Sequence, residues 1–124
     1  MARSPAYDEH PEHRITLEND GRRMRARFGD QTLAESSAAV VVREGRYPPV
    51  VYFPHADVAW SQLEATAHHT HCPFKGDASY WSIQGAGERG ENAAWSYRAP
   101  FDQVAALCGM VAFYTDRVEV EPAA

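Results

Sequence analysis

Cysteine, lysine and long apolar runs are scarce in this sequence of 124 residues. Its two cysteines, Cys72 and Cys108, are too few for a disulfide framework and indicate reduced thiols. The longest apolar runs, AAVVV and VVYF, are far too short to cross a membrane. The N-terminal stretch MARSPAYDEHPEH lacks the apolar segment of a secretory signal. These observations predict a cytoplasmic protein without a membrane partner.

Charge and composition narrow the class of protein further. The net charge of −5 at pH 7 argues against a general nucleic-acid-binding protein. Apolar residues make up 44% and charged residues 23% of the chain, as in an ordinary globular domain. A chain of this length can bury a real core in one domain. We therefore expect a single domain and no nucleic-acid partner.

One segment, GRRMRARFGD, concentrates positive charge. In a strand, its alternate arginines would point to one face and its apolar side chains to the other. The two sets are Arg23, Arg25 and Arg27, against Met24, Ala26 and Phe28. The favoured interpretation is a half-buried strand with a solvated arginine face, which nearby acids neutralise. Those acids are Glu18, Asp20 and Asp30. The alternative is an anion-binding stripe.

Short strand-like segments separated by turn signals follow one another along the chain. They are RITLE, RMRARF, TLAESSAAVVV, VVYF, ASYWSIQ, AAWSYRA and GMVAFYTDRVEVE, the last as a hairpin that turns at Thr115–Asp116. Two segments predict short helices, VAWSQLEA after a capping Asp57, and DQVAAL. For residues 13–122 we expect a mainly β domain of roughly seven to nine strands in antiparallel sheets. The polar, aperiodic residues 1–12 predict a flexible tail.

Four blocks of sequence in a fixed order carry a family resemblance. They are PPVVYFPHADV, THCPFKGDASYWS, AAWSYRAP and GMVAFY. Together they resemble the bacterial family known as domain of unknown function 427, also labelled nucleotidyltransferase-like domain, family 9, from about Arg14 to Glu121. The chain departs from the family pattern at Phe74 and Trp81, where the family often has tyrosine. The resemblance implies a β-tent-like architecture, in which two antiparallel sheets lean together around a groove.

The block THCPFKGDASYWS holds the only lysine of the chain, Lys75. Gly76 can adopt a positive φ, so residues 73–76 are expected to form a tight turn that fixes the direction of the lysine side chain. Two interpretations follow. Either the ammonium lies in solvent and pairs with Asp77, or it points into a groove. In a groove it would bind an acidic group of a ligand or act as a base.

The family blocks also supply side chains suited to line such a groove. Tyr52, Tyr80 and Tyr97 each combine a ring with a hydroxyl group, and Trp95 offers a face for stacking. An aromatic groove with one ammonium and two carboxylates suits a small polar or anionic ligand. The predicted ligand-binding residues are Glu44, Tyr52, Asp57, Thr70, Cys72, Lys75, Gly76, Tyr80, Trp95 and Tyr97. The alternative for the aromatic residues is packing in the core.

Three residues of this set are candidates for catalysis: Lys75, Cys72 and Asp57. Cys72 would be a nucleophile if the lysine or a histidine beside it favoured the thiolate. The alternative for Cys72 is a small apolar residue in the core.

Metal binding is not expected, although histidines precede the turn at His68, His69 and His71. In an extended segment each face would offer only two ligands, and a zinc site needs at least three from the protein. His55 or Asp57 would have to complete the set. We therefore expect neither a metal nor another cofactor.

Three functions follow from these residues and from the resemblance. The first is a domain that binds a small molecule, with or without catalysis, in a pocket around Lys75. The second is a non-catalytic structural or protein-interaction module, in which the same residues brace turns and strand ends. The third, implied by the family label, is a Mg²⁺-dependent nucleotidyltransferase that uses Glu44, Asp57 and Asp77. Edge strands in a small β domain allow either a monomer or a homodimer.

Overall fold

A computed structural model describes residues 2–123 of the chain, which form ten strands. The strands are β1 Ile15–Asn19, β2 Met24–Phe28, β3 Gln31–Ser36, β4 Val40–Glu44, β5 Val50–Tyr52, β6 Leu63–Cys72, β7 Gly76–Ile83, β8 Ala94–Tyr97, β9 Val111–Phe113 and β10 Glu119–Pro122. The helical elements are α1 Ala6–Glu9 and the 3-10 segments His55–Asp57, Trp60–Gln62, Gly87–Gly90 and Asp102–Leu107. The predicted mainly β fold is confirmed. None of the helices in this range has the length and apolar character that a membrane crossing requires.

The strands pair antiparallel in three sheets. Sheet I has the order β1-β4-β5, sheet II the order β10-β2-β3, and sheet III the order β6-β7-β8-β9. A backbone bridge links sheets I and III where Phe53, directly after β5, and Val111 exchange two hydrogen bonds of 2.8 and 2.9 Å. The resemblance implied two sheets around a groove, and the structure divides the strands among three.

Strands β7, β8 and β9 of sheet III bury side chains on both faces, as the alternation of side chains along β7 shows. Ala78 and Tyr80 point to one face and pack in a core with sheet I. Trp81 and Ile83 point to the other face and pack in a second core with sheet II. We call these the I–III core and the II–III core. Because one sheet serves two cores, side chains of opposite faces on the same strand can line different cavities.

Strand β2 has the two faces that its sequence predicts. Met24 and Ala26 are buried in the II–III core, and the arginines point outward. Each outward arginine is ion-paired: Arg23 and Arg25 with Glu35, and Arg27 with Glu119. The charge of these arginines is therefore neutralised as expected, but by glutamates on the neighbouring strands. Of the three acids named from the sequence, Asp20 pairs with another arginine, Arg22. Paired arginines do not form an anion-binding stripe.

The predicted helix VAWSQLEA is wrong. Only Trp60–Gln62 forms a 3-10 turn, and strand β6 begins at Leu63. The backbone of this segment is engaged on both sides, since Ala59 N donates to Leu33 O at 2.8 Å and Gln84 N to Gln62 O at 2.9 Å. These long-range bonds with β3 and with the end of β7 satisfy the groups that a helix would have paired within itself. Backbone hydrogen bonds to distant strands therefore determine the structure of this segment, and its local helical pattern does not.

Two connections also differ from the sequence-based prediction. The segment TLAESSAAVVV is not one strand: a turn after Ser36, whose Oγ accepts from Ala38 N at 2.9 Å, sends β3 to sheet II and β4 to sheet I. The predicted hairpin at Thr115–Asp116 is wrong as well. A turn does form, with Val118 N donating to Tyr114 O at 3.0 Å, but β9 pairs with β8 and β10 pairs with β2. The two segments therefore leave the turn for different sheets.

The N-terminal segment, expected to be a flexible tail, contacts the β6–β7 turn. Ser4 is buried, and its hydroxyl donates to the carbonyl of Pro73. The hydroxyl of Tyr7, on α1, donates to the carbonyl of Phe74 at 2.7 Å. The outer surface of the turn is thus covered by residues from the start of the chain.

Candidate functional site

The residues between Cys72 and Gly76 form a tight turn that joins β6 to β7, as the sequence predicts. Lys75 N donates to Cys72 O at 3.2 Å, and Lys75 O accepts from Phe101 N at 3.0 Å. Gly76 has a φ of +118°, and a Cβ at this position would lie 3.3 Å from Ala99 O. Only glycine meets both conditions without strain. The backbone of Lys75 is therefore fixed on both sides.

Lys75 is buried, with 7% of its surface exposed. Its Nζ donates to a carboxylate oxygen of Glu44 on β4 and lies 3.8 Å from the Sγ of Cys72. The alternative of a solvent lysine paired with Asp77 is wrong, because Asp77 pairs with His71 at 2.7 Å. The lysine instead joins sheet III to sheet I through an ion pair.

His13 extends this ion pair on the other side of the carboxylate. Its Nε2 lies 2.8 Å from the second oxygen of Glu44, and its ring stacks on Phe74 with the centroids 4.0 Å apart. Burial opposes ionisation of the Glu44 carboxylate, but the hydrogen bonds and charges of Lys75 and His13 outweigh it and lower the pKa of Glu44. Sequence reasoning missed His13, since it lies 31 residues from Glu44 and in none of the four family blocks.

A cavity of about 190 Å³ opens beside Lys75, between sheets I and III. We call it the Lys75 cavity. Its lining includes six residues predicted from the sequence: Glu44, Tyr52, Lys75, Tyr80, Trp95 and Tyr97. The other lining residues are Val42, Tyr47, Pro48, Val50 and Tyr114, which the sequence did not indicate. Towards solvent it adjoins a cleft of about 360 Å³ that shares Glu44, Tyr47 and Trp95 with it.

The aromatic residues both pack the core and line the cavity, so the two interpretations are not alternatives. Tyr52, Tyr80 and Tyr97 are buried members of the I–III core, and their rings also form cavity walls. Tyr52 Oη accepts a hydrogen bond from Trp95 Nε1 at 3.2 Å. The hydroxyl of Tyr97 makes no hydrogen bond to another residue in the range 2–123. It is therefore available to a ligand.

A second set of hydroxyl groups meets at the rim of the cavity. Tyr80 Oη lies 2.9 Å from Thr70 Oγ1 and 3.3 Å from Tyr114 Oη. Burial and the hydrogen bond to Tyr80 raise the pKa of Tyr114 to about 12. Burial likewise raises the pKa of Tyr52 and of Tyr97. These three phenols therefore keep their protons at neutral pH and can donate hydrogen bonds.

Not every predicted residue reaches this cavity. Asp57 lies exposed on the 3-10 segment His55–Asp57, away from the lining residues. Thr70 contributes through its contact with Tyr80, Cys72 through its contact with Lys75, and Gly76 through the turn geometry. Of the three catalytic candidates, Lys75 and Cys72 lie together and Asp57 lies elsewhere.

The histidines and carboxylates considered as metal ligands do not cluster in the described part of the chain. No group of three His, Cys, Asp or Glu side chains is placed to hold a metal ion among residues 2–123. His68 packs edge-on against Tyr80, His71 pairs with Asp77, and His55 packs on Trp60. Glu44, Asp57 and Asp77, the set named for Mg²⁺, do not share a site.

Fold and site together define a small antiparallel β domain with a buried lysine–glutamate pair beside an aromatic cavity. The chain belongs to the family described as domain of unknown function 427 (DUF427), whose model matches residues 16–123. The resemblance seen in the four sequence blocks is thereby confirmed over nearly the whole chain. No protein of curated function matches it.

Proposed function

We propose that this domain binds a small polar or anionic ligand in the Lys75 cavity. The observation that carries the proposal is the position of the only lysine of the chain, which is buried and yet lines a cavity. A lysine ammonium has three N–H donors. One is bound by Glu44 and a second faces the sulfur of Cys72, so a third donor remains for a ligand.

The cavity walls define the chemistry of this ligand. Lys75 and Glu44 neutralise each other, so the cavity presents hydrogen-bond donors more than net charge. The ammonium and the hydroxyl of Tyr97 suit a carbonyl or carboxylate oxygen, and the ring of Trp95 suits a planar group. A volume of about 190 Å³ restricts the enclosed part of the ligand to a few heavy atoms. We therefore infer a small, partly planar carbonyl or carboxylate compound, and the proposal is one of binding without a catalytic step.

A thermal-shift screen tests this proposal. The panel contains small carboxylic acids, sugar phosphates, and nucleotides with and without Mg²⁺. A ligand present at about a hundred times its dissociation constant adds roughly 2.7 kcal/mol to the stability, which raises the melting temperature by several degrees. We expect such a shift from a small carboxylic acid.

The variant Tyr97→Phe locates the binding site. It removes a hydroxyl group without a partner in the described part of the chain, so it should leave the unliganded melting temperature nearly unchanged and reduce the shift. Arg43→Gln, at an exposed arginine of β4, is the control and should retain the full shift. No shift with any compound, or an equal shift in Tyr97→Phe, would contradict the proposal.

The second candidate is an interaction module, and one observation favours it. Lys75, Glu44 and His13 satisfy each other locally, while Tyr47 at the cavity mouth is 69% exposed. Together with Pro48, Pro49 and Tyr114, it makes an apolar rim that a second copy of this chain could cover. Sedimentation velocity at increasing protein concentration tests this candidate. It predicts self-association that Tyr47→Ser removes.

Nucleotidyl transfer, the third function in the sequence-based hypotheses, is not proposed. That chemistry uses converging carboxylates to hold Mg²⁺ against a triphosphate. Glu44 is paired with Lys75, Asp77 is paired with His71, and Asp57 lies on a separate turn. The arrangement does not provide the converging set.

A further inference from the structure

A second cavity lies on the opposite face of sheet III. It has a volume of about 350 Å³ and is lined by His55, Trp60, Trp81, Ser96, Arg98 and Gly109. Trp81 follows Tyr80, and Ser96 lies between Trp95 and Tyr97, so the alternation of the strands separates this cavity from the Lys75 cavity. None of its residues is part of the proposed function. We call it the Arg98 cavity.

Arg98 is the positive group of this cavity. Its guanidinium lies over the ring of Trp81, 5.5 Å from the ring centroid. By contrast, Arg25 and Arg27 on β2 each contact a glutamate. No carboxylate among residues 2–123 lies within ion-pair distance of Arg98. Its planar set of N–H donors, which matches the geometry of a carboxylate, is therefore available.

Ser96 adds a second, independent polar group. Only 2% of its surface is exposed, and it lines the cavity. Its hydroxyl makes no hydrogen bond to any other residue in the described part of the chain. In that range, every side-chain N or O atom that is fully buried has a hydrogen-bond partner, so a hydroxyl without one must be accessible. The hydroxyl therefore opens onto the cavity. Ser96 lies on β8, and Arg98 is the first residue after this strand ends at Tyr97. Both side chains line the same cavity.

The remaining side chains that line the cavity are aromatic rings. The rings of Trp60 and Trp81 meet at 64° with centroids 5.2 Å apart, and the ring of His55 packs on Trp60 at 4.6 Å. Trp60 Nε1 donates to His55 O at 2.9 Å, so this donor is already used. The walls thus offer ring faces and edges for stacking.

We propose that the Arg98 cavity binds a planar aromatic carboxylate. The ring of the ligand packs against Trp60 and Trp81, and its carboxylate accepts hydrogen bonds from the guanidinium of Arg98 and the hydroxyl of Ser96. The carboxylate of the ligand thereby pairs with both the guanidinium of Arg98, which has no ion-pair partner in the described part of the chain, and the buried hydroxyl of Ser96. It also places the aromatic part of the ligand against the aromatic walls.

The test uses 2-naphthoate as probe and 2-naphthamide as its neutral counterpart of the same size. The chain has three tryptophans, two in the Arg98 cavity and Trp95 in the Lys75 cavity. Their indole N–H signals in a ¹H–¹⁵N NMR spectrum are assigned with single Trp→Phe variants. We expect 2-naphthoate to move the signals of Trp60 and Trp81 and to leave that of Trp95 in place. Movement of the Trp95 signal alone, or of none, would overturn the proposal.

Affinity measurements on variants test the two polar contacts. Loss of a charge-assisted hydrogen bond typically costs about tenfold or more in affinity. We expect Arg98→Gln to weaken the binding of 2-naphthoate at least tenfold and Ser96→Ala to weaken it several-fold. The neutral 2-naphthamide should bind to the wild type as weakly as 2-naphthoate binds to Arg98→Gln. Arg43→Gln is the matched control. Equal binding of acid and amide, or unchanged binding to Arg98→Gln, would refute the assignment without bearing on the Lys75 cavity.

Discussion

Lys75 and Glu44 form an ion pair with little access to water, since their side chains are 9% and 18% exposed. Removal of one partner from such a pair leaves the other charge buried and typically costs about 3 kcal/mol. We expect Lys75→Met and Glu44→Gln each to lower the free energy of unfolding by about this amount. The loss of unfolding free energy in the double variant should be smaller, by at least about 1 kcal/mol, than the sum of the losses in the two single variants. Urea unfolding of the four proteins measures the coupling, and additive losses would show that the pair is not coupled.

The same carboxylate makes stability depend on pH. The pKa of Glu44 is lower in the folded protein than its ordinary value of 4.5, so the ionised form contributes stability above that value. This contribution is lost as the pH falls through the lower, folded-state pKa. We expect the unfolding free energy of the wild type to fall below about pH 4.5 more steeply than that of Glu44→Gln. Parallel pH profiles in urea unfolding would contradict the assigned shift.

Gly76 tests the geometry of the turn. Alanine at this position would combine a φ of +118° with a Cβ 3.3 Å from Ala99 O. Gly21 also has a positive φ, of +80°, but its Cβ would meet no atom within 4 Å. A strained backbone of this kind costs roughly 1–3 kcal/mol. We expect Gly76→Ala to destabilise the protein by at least about 1 kcal/mol more than Gly21→Ala in urea unfolding. Equal effects would mean that backbone conformation alone requires glycine.

At the scale of elements, the N-terminal segment stabilises the β6–β7 turn through specific bonds. Burial, together with the nearby Cys72 and Glu44, raises the pKa of Tyr7 to about 12, so its hydroxyl remains a donor to Phe74 O at neutral pH. A hydrogen bond of this kind contributes about 1 kcal/mol. We expect Tyr7→Phe to reduce the unfolding free energy by about this amount. Tyr47→Phe, at an exposed tyrosine, is the control and should have no measurable effect.

Several of the elements that the sequence identified correctly have side chains that alternate against a core. β2, β7 and β8 show this alternation, and the prediction for each is confirmed within a few residues. Residues 63–65 at the start of β6 were predicted as part of a helix, because most of β6 is exposed and burial therefore imposes no period of two on its sequence. The sequence also did not indicate that β3 and β4, or β9 and β10, belong to different sheets. The choice of sheet is made by long-range pairing and is absent from local sequence.

At the scale of the whole molecule, sheet III couples the two cores. Leu107 is buried in the I–III core and Leu33 in the II–III core. Replacement of a buried leucine by alanine typically costs about 3 kcal/mol. We expect Leu107→Ala and Leu33→Ala each to lower the midpoint of one common unfolding transition. Far-ultraviolet circular dichroism and tryptophan fluorescence should give the same midpoint for each variant. Two separated transitions would show that the cores unfold independently.

The candidate site was only partly predictable from the sequence, because part of it forms only when whole sheets pack together. The family blocks contain Lys75 and the aromatic residues, and Glu44 lies shortly before one of these blocks, so the sequence alone indicated these side chains. His13 comes from a segment without a distinctive pattern, and Tyr114 ends the block GMVAFY, where nothing in the sequence marks it as a lining residue. Both reach the site only when sheets I and III pack together. Asp57 was misplaced because its position depends on a turn. The Arg98 cavity exists only because sheet III packs on both faces.

Strand β10 has a consequence for how the protein folds. It pairs with β2 across a large separation, 92 residues between Glu119 and Arg27, whereas β2 meets β3 in a local hairpin. Local hairpins form before pairings that close long loops, so β2 presents an open edge until β10 arrives. Another copy of the chain offers an identical β10. Refolding at high protein concentration is therefore expected to produce a domain-swapped dimer, in which each β2 is completed by its partner's last strand.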